Sequence, residues 1–341
     1  MSEIAVIGAG AWGTGLAIVL ARNGVHRVRL WAYEPEVCQA IESCRENPLF
    51  LPGATIPASV HATNALSEAL EGAAMVVGVM PSHHARALYR QMKPHVRPEM
   101  LFVSATKGIE NDSLMRMSQV IQEVFGEGPD GFRPRLGALS GPSFAREVVK
   151  GDPTAITIAS EDDALARQVQ HEFSDPKFRL YRHHDIIGVE LAGALKNIIA
   201  IAAGVVDGLG LGFNTVAALV TRGLAEMTRL VVACGGRAET MAGLAGLGDL
   251  VLTCTGHLSR NRSVGVELGK GRKLDEVIAG MHGMVAEGVL TTNAAVGLAR
   301  QHGVEMPITE QVHALLRQGK PPREAIHELM TRPFTTEVKL Y

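Results

Sequence analysis

Two lysines, an aspartate and a short basic turn are the residues of this chain whose types and settings could do chemistry. Lys196 stands in Leu191-Ala192-Gly193-Ala194-Leu195-Lys196-Asn197-Ile198-Ile199-Ala200, a stretch that is otherwise apolar and reads as helix. Desolvation there disfavours the ammonium, which is how a lysine becomes a usable acid or base near neutral pH. The plainer reading is a lysine snorkelling from a helix end. Asn197 either orients a substrate hydroxyl or bonds within its own helix. Lys107 follows the strand-like Leu101–Ala105, at the carboxyl end where open α/β sheets place their ligands, unless it is an exposed loop lysine. Asp249, in Gly246-Leu247-Gly248-Asp249-Leu250, either accepts hydrogen bonds from a polyol or caps a helix. Ser259-Arg260-Asn261-Arg262 lies ahead of the helical Ser263–Leu268. A cap-forming serine beside arginine at a helix start can cradle a phosphate, although a solvated basic turn has the same spacing. The pairs His83-His84 and His183-His184 make no metal site, because adjacent helical residues point about 100° apart and no Cys or carboxylate pattern completes the set.

A second group of residues speaks for a nucleotide. Gly8-Ala9-Gly10-Ala11-Trp12-Gly13 matches G-x-G-x-x-G, directly after the strand-like Ile4–Gly8 and directly before the helix-like Thr14–Asn23. Gly8 permits the tight turn, Gly10 lets backbone approach a pyrophosphate, and Gly13 lets helix pack on strand. The helix then offers free N–H groups and its positive end to the phosphates. Which dinucleotide fits depends on Ala32-Tyr33-Glu34, after the second strand. A carboxylate near this point would clamp the ribose diol of NAD, and a basic residue would accept the 2′-phosphate of NADP. Glu34 lies beyond the strand end, and Ala32 carries no carboxylate, so NADP is slightly favoured over NAD.

These residues need elements to hold them. Ile4–Gly8, Val28–Trp31, Met75–Met80, Leu101–Ala105, Leu136–Leu139 and Ile156–Ser160 read as strands separated by helix-length stretches. That rhythm predicts a doubly wound α/β domain over residues 1–185. From residue 186 to 341 the strands stop and helical periodicity takes over, as in Val216–Val232 and Glu287–Gln301, so an all-α domain follows. The 341 residues, 46% hydrophobic and 20% charged, suit about two globular domains. Lys plus Arg number 33 against 35 for Asp plus Glu, a net charge of −2, which supplies no broad field for nucleic acid or an anionic membrane. Cys38, Cys44, Cys234 and Cys254 have no C-x-x-C spacing, which suits a reducing cytosol. The N-terminus lacks the basic and apolar regions of a signal peptide. The apolar Val189–Val206 is interrupted by Glu190, Lys196 and Asn197 and reads as a buried helix. Glycine, at 37 residues, is in marked excess.

Taken with Ala105-Thr106-Lys107-Gly108, Ser140-Gly141-Pro142-Ser143-Phe144-Ala145 and Glu190-Leu191-Ala192-Gly193-Ala194-Leu195-Lys196-Asn197, these blocks resemble the bacterial NAD(P)-dependent sn-glycerol-3-phosphate dehydrogenase family over nearly the whole chain. The resemblance implies a Rossmann-like N-terminal domain, a helical C-terminal domain, a cytoplasmic homodimer, and reduction of dihydroxyacetone phosphate to sn-glycerol 3-phosphate for phospholipid synthesis. It places Lys196 as the proton donor and acceptor. It implies substrate contacts at Lys107, Gly141, Ser143, Lys196, Asn197, Asp249, Ser259, Arg260 and Asn261. Cofactor contacts are implied at Gly8, Gly10, Ala11, Trp12, Gly13, Tyr33, Lys107, Ala145, Arg260, Val285 and Glu287. Ala11 stands where the family often has Ser, and Tyr33 where it usually has Arg or His. Two other readings compete: a lysine-dependent 3-hydroxy acid dehydrogenase, against which the basic turn and Asp249 speak, and a non-catalytic NAD(P)H sensor, which would not need Lys196 in an apolar helix.

Overall fold

The computed structural model describes residues 2–281, 285–333 and 336–337. The chain divides into two compact units: residues up to Lys107 with Met115–Glu190, and Gly108–Leu114 with residues from Leu191 onward.

The first unit is built on one eight-stranded sheet: β1 (Ser2–Ile7), β2 (His26–Trp31), β3 (Val60–Thr63), β4 (Met75–Gly78), β5 (Leu101–Ser104), β6 (Arg135–Ser140), β7 (Thr154–Ala159) and β8 (Phe178–His183). Their order across the sheet is β3-β2-β1-β4-β5-β6-β7-β8. All neighbours run parallel except β6 and β7, which pair antiparallel from Ala138 opposite Ala159 to Ser140 opposite Thr157. Strand order reverses between β1 and β4, so a crevice opens at their carboxyl ends, the switch point where such sheets take ligands. Ile4, Val6, Val28, Leu30, Val77 and Val103 are buried with helix residues Leu16, Val19 and Leu20. The near-continuous apolar character of β1 and β4 follows from burial on both faces of the sheet.

The sequence does not reveal β3 and β8 by apolar runs. In β8, Phe178 and Leu180 are buried while Arg179 and Tyr181 are exposed, a period-2 pattern hidden under its charges. The helix after the glycine motif begins at Ala11, three residues earlier than the sequence suggested, with Gly10 as its N-cap.

The second unit is helical. The long helix Ile186–Gly208 has the length and apolarity of a membrane span, yet 89% of its most apolar window is buried in the protein, which makes it a core helix. Around it lie Phe213–Ala233, Asp249–Thr255, Arg260–Gly269, Glu287–His302 and Pro307–Gln318. The excursion Gly108–Leu114 from the first half belongs here too; a Cβ on Gly297 would stand 3.0 Å from a Leu114 methyl.

Two helix starts are satisfied by carboxylates from other helices. Glu190 accepts from the backbone N–H and hydroxyl of Ser118 at 2.7 and 2.6 Å, and from Arg116 at 2.5 Å. Glu226 accepts from the backbone N–H groups of Ile308 and Thr309, both at 2.8 Å, and from the Thr309 hydroxyl at 2.6 Å. Burial pushes the Glu226 carboxyl up, against the pull of its Thr309 and Ile308 hydrogen bonds and of Arg229.

Glu226→Gln therefore has a signed prediction. The amide turns an N–H toward one of the two backbone donors, and the orphaned donor costs about 1–3 kcal/mol. A raised folded-state value means that the group's stabilisation is fully present below the ordinary carboxylate range and is lost as pH rises through the folded value. The stability gap between wild type and Glu226→Gln accordingly widens as pH falls from alkaline values toward the ordinary carboxylate range, read by urea unfolding of the whole protein. A gap that shrinks on acidification contradicts this assignment.

Candidate active site

In the first unit, the glycine turn is fixed by three different requirements. Gly8 has φ +118°, a conformation that favours glycine. A Cβ on Gly13 would lie 1.8 Å from the Gly8 carbonyl oxygen, so only glycine lets the helix sit this close to the turn. Nothing stands within 4 Å of a Cβ position on Gly10, which leaves its surface open to a ligand. The Thr14 N–H closes the first helical bond on the Gly10 carbonyl at 2.9 Å, so the N–H groups of Ala11, Trp12 and Gly13 precede any intrahelical acceptor. This cradle fits a dinucleotide pyrophosphate, held by helix N–H groups and the helix dipole. Buried Asn47, which the sequence reading passed over, braces the turn through the Ala9 carbonyl at 2.8 Å and Thr14 Oγ1 at 2.9 Å.

At the end of β2, Trp31 Nε1 donates to the Asn64 carbonyl at 2.9 Å and Asn64 Nδ2 to the Ala32 carbonyl at 2.7 Å. Tyr33 stands 77% exposed, its ring edge-on to Trp31. Glu34 is the N-cap residue of Pro35–Cys44 but makes no side-chain capping bond. Lys107, Gly141 and Ser143 converge in the same unit: Lys107 Nζ and Ser143 Oγ donate to the Gly141 carbonyl at 3.0 and 2.9 Å. Gly141 has φ +145°, and a Cβ there would meet Ile156 at 2.9 Å. Ala145 opens the helix Ala145–Lys150 and lies against the motif helix, 3.6 Å from a Cβ position on Gly15.

In the second unit, Lys196 is buried but accompanied. Its ammonium donates to Asp249 Oδ1 at 2.6 Å and to Thr253 Oγ1 at 2.7 Å, while Thr253 donates to the Asp249 carbonyl at 2.6 Å. The side chains of Lys196 and Asp249 are 7% and 1% exposed. Desolvation of a lone lysine is therefore not the whole setting, because a carboxylate 53 residues away supplies the opposite charge. Asp249 is the first residue of Asp249–Thr255 and not its cap, which is Gly248. Thr253, missed in the sequence, follows Asp249 by one helical turn and so shares its face. Burial pushes the neighbouring Cys254 thiol up to about 12, so it remains protonated and unreactive.

Ser259 is the N-cap of Arg260–Gly269, its hydroxyl accepting from the Arg262 N–H at 3.2 Å. The backbone N–H groups of Arg260 and Asn261 lie in the first turn. Arg260 keeps an exposed flank, although surrounding protein pulls its ionisation below the ordinary guanidinium value, an effect that Glu287 opposes. Arg262 pairs with Asp207 at 3.0 Å. The Asn261 side chain is engaged inside the protein, with Asn197 and with the Gly288 N–H, both at 2.9 Å. Val285 and Glu287 sit at the start of Glu287–His302, beside Gly288.

The histidine pairs lie elsewhere. His83 and His84 open the helix Ser82–Met92 with ring centroids 3.9 Å apart, and burial followed by His84 lowers the His83 value. His183 ends β8 and accepts from the Asp185 N–H at 3.0 Å. Among the described residues no group of three or more His, Cys, Asp or Glu could hold a metal ion.

A dinucleotide cradle at the switch point of a doubly wound sheet, in a chain that also carries a buried lysine–carboxylate pair in a helical unit, defines a nicotinamide-dependent dehydrogenase by class. The family model described as the N-terminus of NAD-dependent glycerol-3-phosphate dehydrogenase matches residues 3–166, and its C-terminus counterpart matches residues 185–327. The chain belongs to the NAD-dependent glycerol-3-phosphate dehydrogenase family. It is 69% identical to the glycerol-3-phosphate dehydrogenase [NAD(P)+] of Koribacter versatilis, covering 100% of both chains. It is 56% identical to that of Acidobacterium capsulatum over 99% of this chain and 100% of the relative. The crystal structure of glycerol-3-phosphate dehydrogenase from Coxiella burnetii superposes with a TM-score of 0.91 at 41% identity, covering 97% of this chain and 99% of that one.

Proposed function

We propose that this chain reduces dihydroxyacetone phosphate to sn-glycerol 3-phosphate, with Lys196 as proton donor and acceptor, supplying glycerophospholipid synthesis. The observation that carries the reading is the hydrogen-bonded set Lys196, Asp249 and Thr253 in the unit that also holds the Ser259-capped helix start. When bound, the nicotinamide supplies or accepts the hydride. The protein's part is to hold a proton on Lys196 Nζ for the alkoxide that develops at C2, and to take it back in the reverse direction. Asp249 and Thr253 fix the direction of that ammonium. Arg260 and the first-turn N–H groups of its helix hold the phosphate, orienting the reacting carbon with binding energy from a remote group. Lys107 and Ser143, gathered at the Gly141 carbonyl, supply further donors for the anionic substrate.

The site takes NAD or NADP. Open space around Tyr33 and the absence of a carboxylate at Ala32 speak for a slight NADP preference, while Glu34, uncommitted to its own helix, speaks for the diol of NAD. Family membership supports a homodimer working in the cytoplasm.

The test is the absorbance assay with dihydroxyacetone phosphate, run with NADH and NADPH in parallel. Oxidation of either is expected. A protein that binds reduced dinucleotide but oxidises none with this substrate is a sensor, and one that responds only to short 3-oxo acids is the other dehydrogenase.

A further inference from the structure

Glycine makes the turn between β1 and the motif helix pliable as well as open. The Ala9–Gly10 peptide can rotate at little steric cost on its glycine side, so something must decide whether it shows an anion its N–H or its carbonyl. A closed set of hydrogen bonds on the buried side of the turn makes that choice. Asn47 Nδ2 donates to the Ala9 carbonyl at 2.8 Å and to Thr14 Oγ1 at 2.9 Å, and Thr14 Oγ1 donates to the same carbonyl at 3.2 Å. Asn47 and Thr14 are both fully buried. The Asn47 amide has one orientation, because the Phe50 backbone N–H, which can only donate, lies 3.1 Å from Oδ1.

The segment that delivers Asn47 is held independently of the turn. The Arg45 guanidinium donates to the carbonyls of Ile56, Pro57 and Val60. The Leu51 N–H closes on the Asn47 carbonyl at 2.9 Å, and the Gly53 N–H donates to Glu46 Oε1 at 2.7 Å. In a planar trans peptide the C=O and N–H point in opposite directions, and no described peptide bond is cis. A carbonyl pinned toward Asn47 therefore aims the Gly10 N–H away from the buried side of the turn.

We infer that Asn47 is a positioning residue for the cofactor: through the Ala9 carbonyl it holds the Gly10 N–H, alongside those of Ala11, Trp12 and Gly13, as a donor to the dinucleotide pyrophosphate. The inference rests on the dinucleotide cradle and is independent of which ketone is reduced. Without Asn47 the carbonyl keeps only the longer Thr14 bond, and the peptide is free to turn its oxygen toward the phosphates, where it repels them. The pyrophosphate is common to NAD and NADP, so Asn47 acts on both alike, unlike a residue at the end of β2.

The test titrates wild type, Asn47→Ala and Thr14→Val with NADH, NADPH and ADP-ribose, which carries the pyrophosphate without the nicotinamide. Asn47→Ala is expected to weaken all three by a common factor of about ten or more, the loss of one donor to a charged group. Thr14→Val leaves Asn47 on the Ala9 carbonyl and weakens them less. In the absorbance assay the change falls on KM for the dinucleotide, whereas a merely structural loss lowers kcat through a smaller folded fraction. Unchanged affinities in Asn47→Ala, a loss confined to NADPH, or a larger loss in Thr14→Val each overturns the proposal. Wild type tests it without any variant. In ¹⁵N spectra of the whole protein the Gly10 amide is expected to exchange with solvent in the free state and to be protected once ADP-ribose binds. A Gly10 amide equally exposed in both states overturns the assignment, and wild type that takes up none of the three ligands removes the cradle itself.

Discussion

Lys196→Met is expected to lower turnover by about 10²–10⁴-fold, the range for loss of a positioned acid–base group, and to destabilise the helical unit at the same time. The two losses have different physical origins. Turnover falls because no proton stands ready for the alkoxide, an interaction made in the transition state, so kcat falls more than cofactor affinity. Stability falls because Asp249, 1% exposed, is left buried without its partner; breaking a buried pair from one side costs about 3–5 kcal/mol. The double substitution Lys196→Met with Asp249→Asn separates them, since removing both charges together restores much of the stability and none of the activity. Urea unfolding and the absorbance assay on the two single variants, the double variant and wild type complete the cycle. Near-normal turnover in Lys196→Met would remove this lysine from the chemistry. If the double variant stays as unstable as the single one, the pair is not what makes the lysine's removal costly.

What could be read in advance, and what could not, divides by the range of the interaction. The glycine motif was legible because its reasons are local: a positive φ at Gly8, and a contact between Gly13 and Gly8 only five residues apart. Lys196 was legible because a charge in an apolar run is conspicuous. Its counter-charge was not, because the bond from Lys196 to Asp249 crosses 53 residues, and no local pattern marks which carboxylate will arrive. Thr253 lay within reach of sequence reasoning as the residue one turn after Asp249. The antiparallel direction of β7 depends on how the chain returns to the sheet, which no strand sequence encodes. Asn261 shows a subtler limit: its type and place at a helix start both suggest a ligand, yet its side chain is engaged with Asn197 and Gly288.

Four glycines that no motif announced carry the other large effect. Gly204 and Gly208 on the helix of Lys196, and Gly265 and Gly269 on the helix of Arg260, are each spaced four apart and so lie on one face of their helices. The faces meet. A Cβ on Gly204 would stand 2.0 Å from the Arg262 carbonyl oxygen, one on Gly208 2.2 Å from that of Val266, one on Gly265 2.0 Å from that of Ile201, and one on Gly269 2.5 Å from that of Val205. These obstacles are backbone atoms, so a methyl group is accommodated only by moving one helix off the other. Gly265 lies about 6 Å along its helix from Asn261, and Gly204 about 12 Å from Lys196, at 1.5 Å per residue, so separating the helices also draws the Ser259-capped turn away from Asn197. Gly265→Ala and Gly204→Ala are each expected to cost about 2–3 kcal/mol by overpacking and to raise KM for dihydroxyacetone phosphate. Because both relieve the same contact, their effects in combination fall short of the sum. Gly212→Ala is the control: its φ is −81° and nothing lies within 4 Å of its Cβ position, so only the preference for glycine over alanine at the N-cap of Phe213–Ala233 is lost, about 0.5–1 kcal/mol with KM unchanged. Equal loss in all three single variants would assign the effect to glycine's backbone freedom. A larger loss confined to Gly204 and Gly265, with KM raised in both, assigns it to the helix contact that holds the lysine and the Ser259-capped turn in register.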